Sequence, residues 1–316
     1  MLCVVTGVAG FVGSHLAERL IELGHEVAGI DRFADYYPRP IKEANLTKLR
    51  SSAGFRLIEE DLATARLEPL LDGAEVIFHQ AAQAGVRASW GQTFEAYTRD
   101  NILATQRLLE AAKGRASVRR FVYASSSSVY GDAADLPMRE ASLPRPYSPY
   151  GVTKLAAEHL CELYRHNFGV PTVSLRYFTV YGPRQRPDMG FNKFIRATLQ
   201  GHAIPVFGDG EQTRDFTFIA DAVDANIASM EGNPGVYNIG GGSRVTLKQV
   251  FEALGEVIGY QPILNHIEQQ AGDVRHTWAD TSAAREGLGF SPKVGLRDGL
   301  AAQVAWQKEQ MGPATA

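Results

Sequence analysis

The stretch Val4 to Leu16, VVTGVAGFVGSHL, leaves an apolar run, passes three glycines and enters a pattern of helical period. Leu2–Thr6 reads as a buried strand and Phe11–Leu23 as a helix stopped by Gly24. Gly7, Gly10 and Gly13 therefore stand between a first strand and a first helix. Glycines there permit a tight turn, close backbone approach to a phosphate and close packing of the helix on the strand. The helix N-terminus adds free N–H groups and positive potential. The spacing is Gly-x-x-Gly-x-x-Gly, and a glycine triplet alone would also suit an ordinary strand–helix turn.

The next apolar run decides the matter. Val27–Ile30 ends in Asp31, a carboxylate placed to hydrogen-bond adenosine ribose hydroxyls and to repel a 2′-phosphate, so NAD is favoured. Arg32 beside it argues the other way. Phe55–Ile58 follows, then EEDL with Asp61 and Leu62 where the adenine would lie; a helix N-cap is an equal reading of Asp61. The cofactor set read from these runs is Gly7, Gly10, Phe11, Gly13, Asp31, Asp61 and Leu62.

Farther out, Val76–His79, Arg120–Ala124 and Thr172–Tyr177 read as strands, with helices over Tyr97–Ala112 and Tyr150–Phe168. Short β-rich runs alternating with helices mean an α/β protein built on a Rossmann-type doubly wound parallel sheet. Past Tyr177 the elements shorten and Gly and Pro increase, which predicts a smaller mixed α/β C-terminal substrate-binding region. Residues 1–176, with about 216–240, are assigned to the dinucleotide domain, 177–215 and 241–311 to the substrate region, and 312–316 to a flexible tail.

Composition agrees. The 316 residues are 45% hydrophobic, and 32 basic against 35 acidic residues leave a charge of −3. No basic run suggests nucleic acid. No stretch approaches the roughly 18 apolar residues of a membrane span, and the N-terminal run is too short for a signal peptide. A cytoplasmic enzyme is expected, with Cys3 and Cys161 as buried thiols. The eight histidines show no metal-ligand spacing, so no metal is expected.

Two segments carry the chemistry. YASSSSVYG, Tyr123 to Gly131, ends a strand in hydroxyls, and YSPYGVTKLAAEHL sets Tyr150 and Lys154 one helical turn apart. A free tyrosine, with a pKa near ~10, is a poor base at neutral pH. A neighbouring ammonium stabilises the phenolate, and a serine hydroxyl can hold the substrate oxygen that loses its proton.

TGVAGFVGSHL, SSSSVYG, YSPYGVTKLAAE and YNIGGG together resemble the extended short-chain dehydrogenase/reductases over nearly the whole chain, and among them the nucleotide-sugar 4-epimerases. The resemblance implies tightly held NAD, Tyr150 as acid/base, Lys154 on the nicotinamide ribose, and Ser126 and Ser127 at the catalytic strand end with Ser126 near the sugar O4. It adds Tyr150 and Lys154 to the cofactor set. It also implies a homodimer formed through the helices at 97–112 and 150–168, and Asn101 as a structural residue. Relatives that dehydrate or decarboxylate carry a carboxylate just before Val-Tyr-Gly. Ser127 and Ser128 stand there instead, which favours epimerisation.

HQAAQAGVRASW, with Arg87, and RYFTVYGPRQRPDM, with Thr179 where neutral-sugar 4-epimerases usually have Asn, look like segments of UDP-glucuronate 4-epimerases. A uronate carboxylate suits a hydroxyl and a planar guanidinium fork, here Thr179 and Arg186. Such a grip would also keep the carboxylate of the β-keto acid intermediate out of the alignment that releases CO₂. Arg186 can equally be a solvated loop residue or a phosphate contact, and Arg184 has no assigned role. By resemblance Phe207 lies by the uracil, while Arg214 and Arg275, with Asp273 nearby, meet the diphosphate of a UDP-sugar. The substrate set is Arg87, Ser127, Ser128, Tyr150, Thr179, Arg186, Phe207, Arg214 and Arg275. Open alternatives are UDP-glucose or UDP-N-acetylglucosamine 4-epimerisation, UDP-glucuronate decarboxylation, and an inactive NAD-sensing binding module.

Overall fold

The computed structural model describes residues 1–132, 135–268 and 274–312. The N-terminal part runs β1 (Leu2–Thr6), α1 (Phe11–Glu22), β2 (Glu26–Asp31), α2 (Arg39–Asn45), α3 (Thr47–Arg50), β3 (Phe55–Glu59) and β4 (Val76–His79). It continues through α4 (Phe94–Tyr97), α5 (Ala104–Ala112), β5 (Arg120–Ser126), α6 (Pro149–Phe168) and β6 (Thr172–Tyr177). The rest comprises β7 (Thr179–Tyr181), α7 (Gly190–Leu199), β8 (Ile204–Phe207), β9 (Thr213–Phe218), α8 (Ile219–Ala228) and β10 (Gly235–Ile239). It ends with β11 (Arg244–Thr246), α9 (Leu247–Ile258), β12 (Leu264–Ile267), α10 (Ser282–Leu288) and α11 (Leu296–Met311).

Seven strands form a parallel sheet in the order β10-β6-β5-β4-β1-β2-β3. The chain works outward from β1 to β3, then crosses back to β4 on the other side of β1. That reversal opens a crevice at the C-terminal ends of β1 and β4, where ligands of open α/β sheets bind. The sheet is apolar on both faces, as buried parallel strands must be. In β1, Cys3 and Val5 join the core beneath α1 and α8, while Val4 joins the core beneath α5 and α6.

The helix expected over Tyr97–Ala112 is interrupted by a π turn at Thr98–Leu103, between α4 and α5. The extra residue in that turn accommodates the buried polar side chains Asp100 and Asn101. The fifth strand extends beyond Ala124 to Ser126.

The smaller region holds a three-stranded sheet, β11-β9-β7, and a parallel pair, β12-β8. Its core gathers Tyr181, Phe191, Phe216, Val250, Leu254 and Leu300. The chain then returns to the large sheet through α8 and β10. Buried Asp215 ties the two parts, accepting hydrogen bonds from the N–H groups of Gly241 at 2.6 Å and Ala279 at 3.1 Å. Burial raises its carboxyl to about 6 against those two bonds. The tail residues 313–316 and Asp273 lie outside the described residues.

Candidate active site

At the end of β1, Gly7 has a φ of 68°. A Cβ there would lie 2.8 Å from the backbone of Ala81, which follows β4. Gly13 serves the helix, since a Cβ on it would stand 2.2 Å from the carbonyl oxygen of Gly7. These are the close approaches that a pyrophosphate cradle needs, and the N-terminus of α1 opens onto them. Gly13→Ala should displace α1 from the loop. We expect a loss of about 1–3 kcal/mol of stability and a reduced NAD content of the purified protein, read by melting temperature and by cofactor released on denaturation.

Asp31 uses one oxygen for the N–H of Ala9 (3.0 Å) and the other for that of Phe33 (2.8 Å). Burial nonetheless pushes its carboxyl up. Asp61 starts no helix. It closes a turn by accepting from the N–H of Ala63 at 2.9 Å and pairs with Arg32 and Arg99. Arg32 is also held by Asp100. The cation beside Asp31 is thus engaged by two carboxylates. Gly7, Gly10, Phe11, Gly13, Asp31, Asp61 and Leu62 line one cavity together with Tyr150, Lys154 and Arg186. The residues present therefore fit a bound dinucleotide.

Helix α6 begins where its sequence says it should. Ser148 caps it, accepting from the N–H of Gly151 at 3.1 Å, and Pro149 takes the first helical position. Tyr150 and Lys154 follow on one face. The Lys154 ammonium donates to the carbonyl of Ala124 at 2.9 Å and lies 6.0 Å from the Tyr150 ring centroid. Burial acts against charge on both residues. It lowers Lys154 to about 7 and raises Tyr150, opposed at the phenol by the Ser126 hydroxyl and the Arg186 charge. In this structure Ser126 and Arg186, rather than the lysine, are the groups that favour the phenolate. Ser126 accepts from the N–H of Ser128 at 3.1 Å, which leaves its own hydrogen to donate. Ser127 and Ser128 begin a 3₁₀ turn, Ser127–Val129. Ser125 is held by Glu158 at 2.6 Å, and Glu158 in turn pairs with buried Arg176.

Neutral hydrogen bonds frame the cavity. Asn101 donates to the Gln83 carbonyl and to Thr153 (3.0 Å each) and accepts from the N–H of Gln83 at 2.8 Å. Tyr177, Gln80 and Asn226 close a triangle at 2.7–3.2 Å. His79, between the hydroxyls of Thr6 and Thr105, is lowered by burial to about 3 and is uncharged at neutral pH.

The loop after β7 carries both arginines. Arg184 bonds Glu18 of α1 at 2.7 Å, bolting the loop to the cofactor helix. Arg186 forms a two-bond pair with Asp188 at 3.0 Å each. Between them Gln185 is buried in a lattice of amides. Its Oε1 accepts from Gln303 at 3.0 Å and from the N–H of Asn192 at 2.9 Å, while Gln303 accepts from the N–H of Gly182 at 2.9 Å. Gln303 and Gln307 both project from α11, and Gln307 bonds Asn192.

The remaining candidates do not line this cavity. Thr179 opens β7, opposite Phe216. Arg87 stacks on Phe207, its guanidinium carbon 4.2 Å from the ring centroid. Arg214 donates to the carbonyl of Arg275 at 3.1 Å, and Arg275 pairs with Asp209 at 2.9 Å on an exposed edge. Sequence reading passed over Tyr36 and Asp188. The second stands two residues from Arg186, which is signal enough; Tyr36 and the amides of α11 have none.

A dinucleotide cradle facing a Tyr/Lys/Ser set defines an enzyme that moves a hydride and a proton at one carbon–oxygen centre. The chain belongs to the NAD dependent epimerase/dehydratase family, which residues 3–240 match. It is 46% identical to a protein of Bacillus subtilis named uncharacterized UDP-glucose epimerase YtcB, covering 97% of this chain and 98% of that one. It is 36% identical to the UDP-glucuronate 4-epimerase of Thermodesulfobacterium geofontis, covering 98% and 96%. Among solved structures, the UDP-glucuronic acid 4-epimerase of Bacillus cereus, in complex with UDP-glucuronic acid and NAD, superposes with a TM-score of 0.95 at 42% identity, covering 99% and 100%.

Proposed function

We propose that the protein interconverts UDP-glucuronate and UDP-galacturonate by NAD-dependent epimerisation at C4. The observation that carries this reading is Arg186, a guanidinium on the cavity wall whose charge acts on Tyr150. A guanidinium beside the acid/base, which gives donors at Nε and Nη2 to Asp188, has little use for a hydroxymethyl sugar, and its remaining N–H donors suit a carboxylate. A charge-assisted hydrogen bond contributes roughly 1.5–3 kcal/mol, enough to select the acid. Similarity to proteins named for this activity supports the reading.

In the proposed cycle Tyr150 takes the O4 proton while Ser126 donates to the same oxygen. Lys154 bears the charge that balances the phenolate. NAD, when bound, accepts the C4 hydride and returns it. After the 4-keto sugar turns its other face, Tyr150 gives the proton back, so atoms and electrons balance within one turnover. Ser127 and Ser128 offer no carboxylate for C5 or C6 proton transfer, which leaves dehydration without its base. Arg186 and Thr179 restrain the carboxylate of the β-keto acid. Arg87, Phe207, Arg214 and Arg275 form the proposed nucleotide and diphosphate end.

The test is incubation with UDP-glucuronate and no added NAD, with products separated by chromatography. UDP-galacturonate without pentose is the expected result; CO₂ release would mean a decarboxylase. Neutral UDP-sugars are the second reading, favoured by the likeness to a protein named as a UDP-glucose epimerase. A higher kcat/KM for UDP-glucose than for UDP-glucuronate would establish it.

A homodimer is part of the proposal. Val152, Leu163 and Phe168 on α6 and Leu103 on the preceding helical run are exposed apolar side chains, which pairing would cover. No described helix is long and apolar enough to cross a membrane, and the proposed compartment is the cytoplasm.

A further inference from the structure

We infer that Asp188 is a positioning and specificity residue: it holds Arg186 by the Nε/Nη2 edge, so that the Nη1/Nη2 edge is left to take a substrate carboxylate. This rests on the uronate reading above and assigns a part of it to a residue outside the catalytic set.

A guanidinium carries five N–H donors in a plane and offers carboxylates two forked edges. Asp188 occupies one edge fully, Nε to Oδ1 and Nη2 to Oδ2, both at 3.0 Å. Among the described residues none accepts a hydrogen bond from Nη1. Two parallel bonds fix the plane of the group as well as its position, which one bond cannot do.

Asp188 is itself held from a third direction. The Tyr36 hydroxyl donates to its Oδ2 at 3.2 Å, and the Tyr36 ring lies 5.8 Å from the guanidinium carbon. Tyr36 lies beyond the end of β2 and lines the cavity, so the bond joins the cofactor side of the site to the substrate loop. The seat is made for that tyrosine: a Cβ on Gly85 would stand 2.6 Å from its hydroxyl.

The pair is neutral overall. It recognises an acid through directed donors on a fixed plane, with little loose positive charge. An unpaired arginine would be free to swing toward the cofactor's phosphates or into solvent. Removing Asp188 should therefore weaken recognition of the acid, although it makes the pocket more positive.

Asp188→Ala and Asp188→Asn are to be assayed with UDP-glucuronate and UDP-galacturonate, and in parallel with UDP-glucose. We expect Asp188→Ala to raise KM for both uronates about tenfold, equivalent to ~1.4 kcal/mol, with UDP-glucose little changed. Asp188→Asn keeps one acceptor and should fall between; it also serves if the alanine variant folds poorly. Retained NAD and an unchanged melting temperature would separate this effect from general damage. A KM for uronates that stays the same or falls would overturn the role, the fall meaning that Asp188 competes with the substrate. Uronate turnover absent from the unsubstituted enzyme would overturn both this inference and the functional reading; turnover present but insensitive to Asp188 overturns the inference alone.

Discussion

Tyr150→Phe should cost epimerisation about 10²–10⁴-fold in kcat, the range of a positioned general acid–base. In the proposed cycle the same phenol both removes the proton and returns it, so no other group has to fail for turnover to stop. The ring should stay where it is. It packs edge-on against Tyr97 at 6.2 Å between centroids, a contact phenylalanine retains. Burial keeps the hydroxyl neutral, so its removal gives up a hydrogen bond to Ser126 and no charge. Retained NAD and a melting temperature close to that of the parent should accompany the loss. Activity within tenfold of the parent would mean that another base does the work.

Lys154→Met should be nearly as damaging to turnover, and it makes a second mark that Tyr150→Phe does not. Lys154 falls from 10.5 in the unfolded chain to about 7 when folded. Between those values the unfolded chain binds a proton that the folded chain lacks. Stability supplied by this site therefore rises with pH across the window and is lowest below 7. With about 1.36 kcal/mol per pKa unit, the swing is on the order of a few kcal/mol. Methionine fills the same space without titrating. Denaturant midpoints on either side of the window should differ by less in Lys154→Met than in the parent. Equal slopes in the two proteins would show that the buried amine keeps its proton.

Legibility in the sequence tracks the range of each interaction. Leu2–Thr6, Val76–His79 and Thr172–Tyr177 are strands at their expected bounds, because a buried parallel strand is written in its own apolar residues. The π turn at Thr98–Leu103 escaped, since one extra residue barely alters a helical pattern over sixteen positions. Asp61 could be read two ways; no helix begins after it, which removes the N-cap, and it lines the cavity while closing a turn and pairing with Arg32 and Arg99. The glycines, Tyr150 and Lys154 advertise their chemistry by local spacing. Tyr36 meets Asp188, and Gln303 meets Gln185, across more than a hundred residues. No local pattern records such meetings.

The amides of Gln185, Asn192, Gln303 and Gln307 carry no proton that titrates near neutrality and no net charge for salt to screen. The amide part of the bracket that carries the Arg186 loop is thus indifferent to buffer, whereas the Arg184–Glu18 ion pair that ties the same loop to α1 is open to screening by salt. A preference for acids that varies with pH or ionic strength would accordingly report on the charged groups, Arg186 with Asp188, the Arg184–Glu18 tie and Lys154, and not on the amides. Solution titrations of that preference therefore read the ionic contacts against an amide lattice that stays constant.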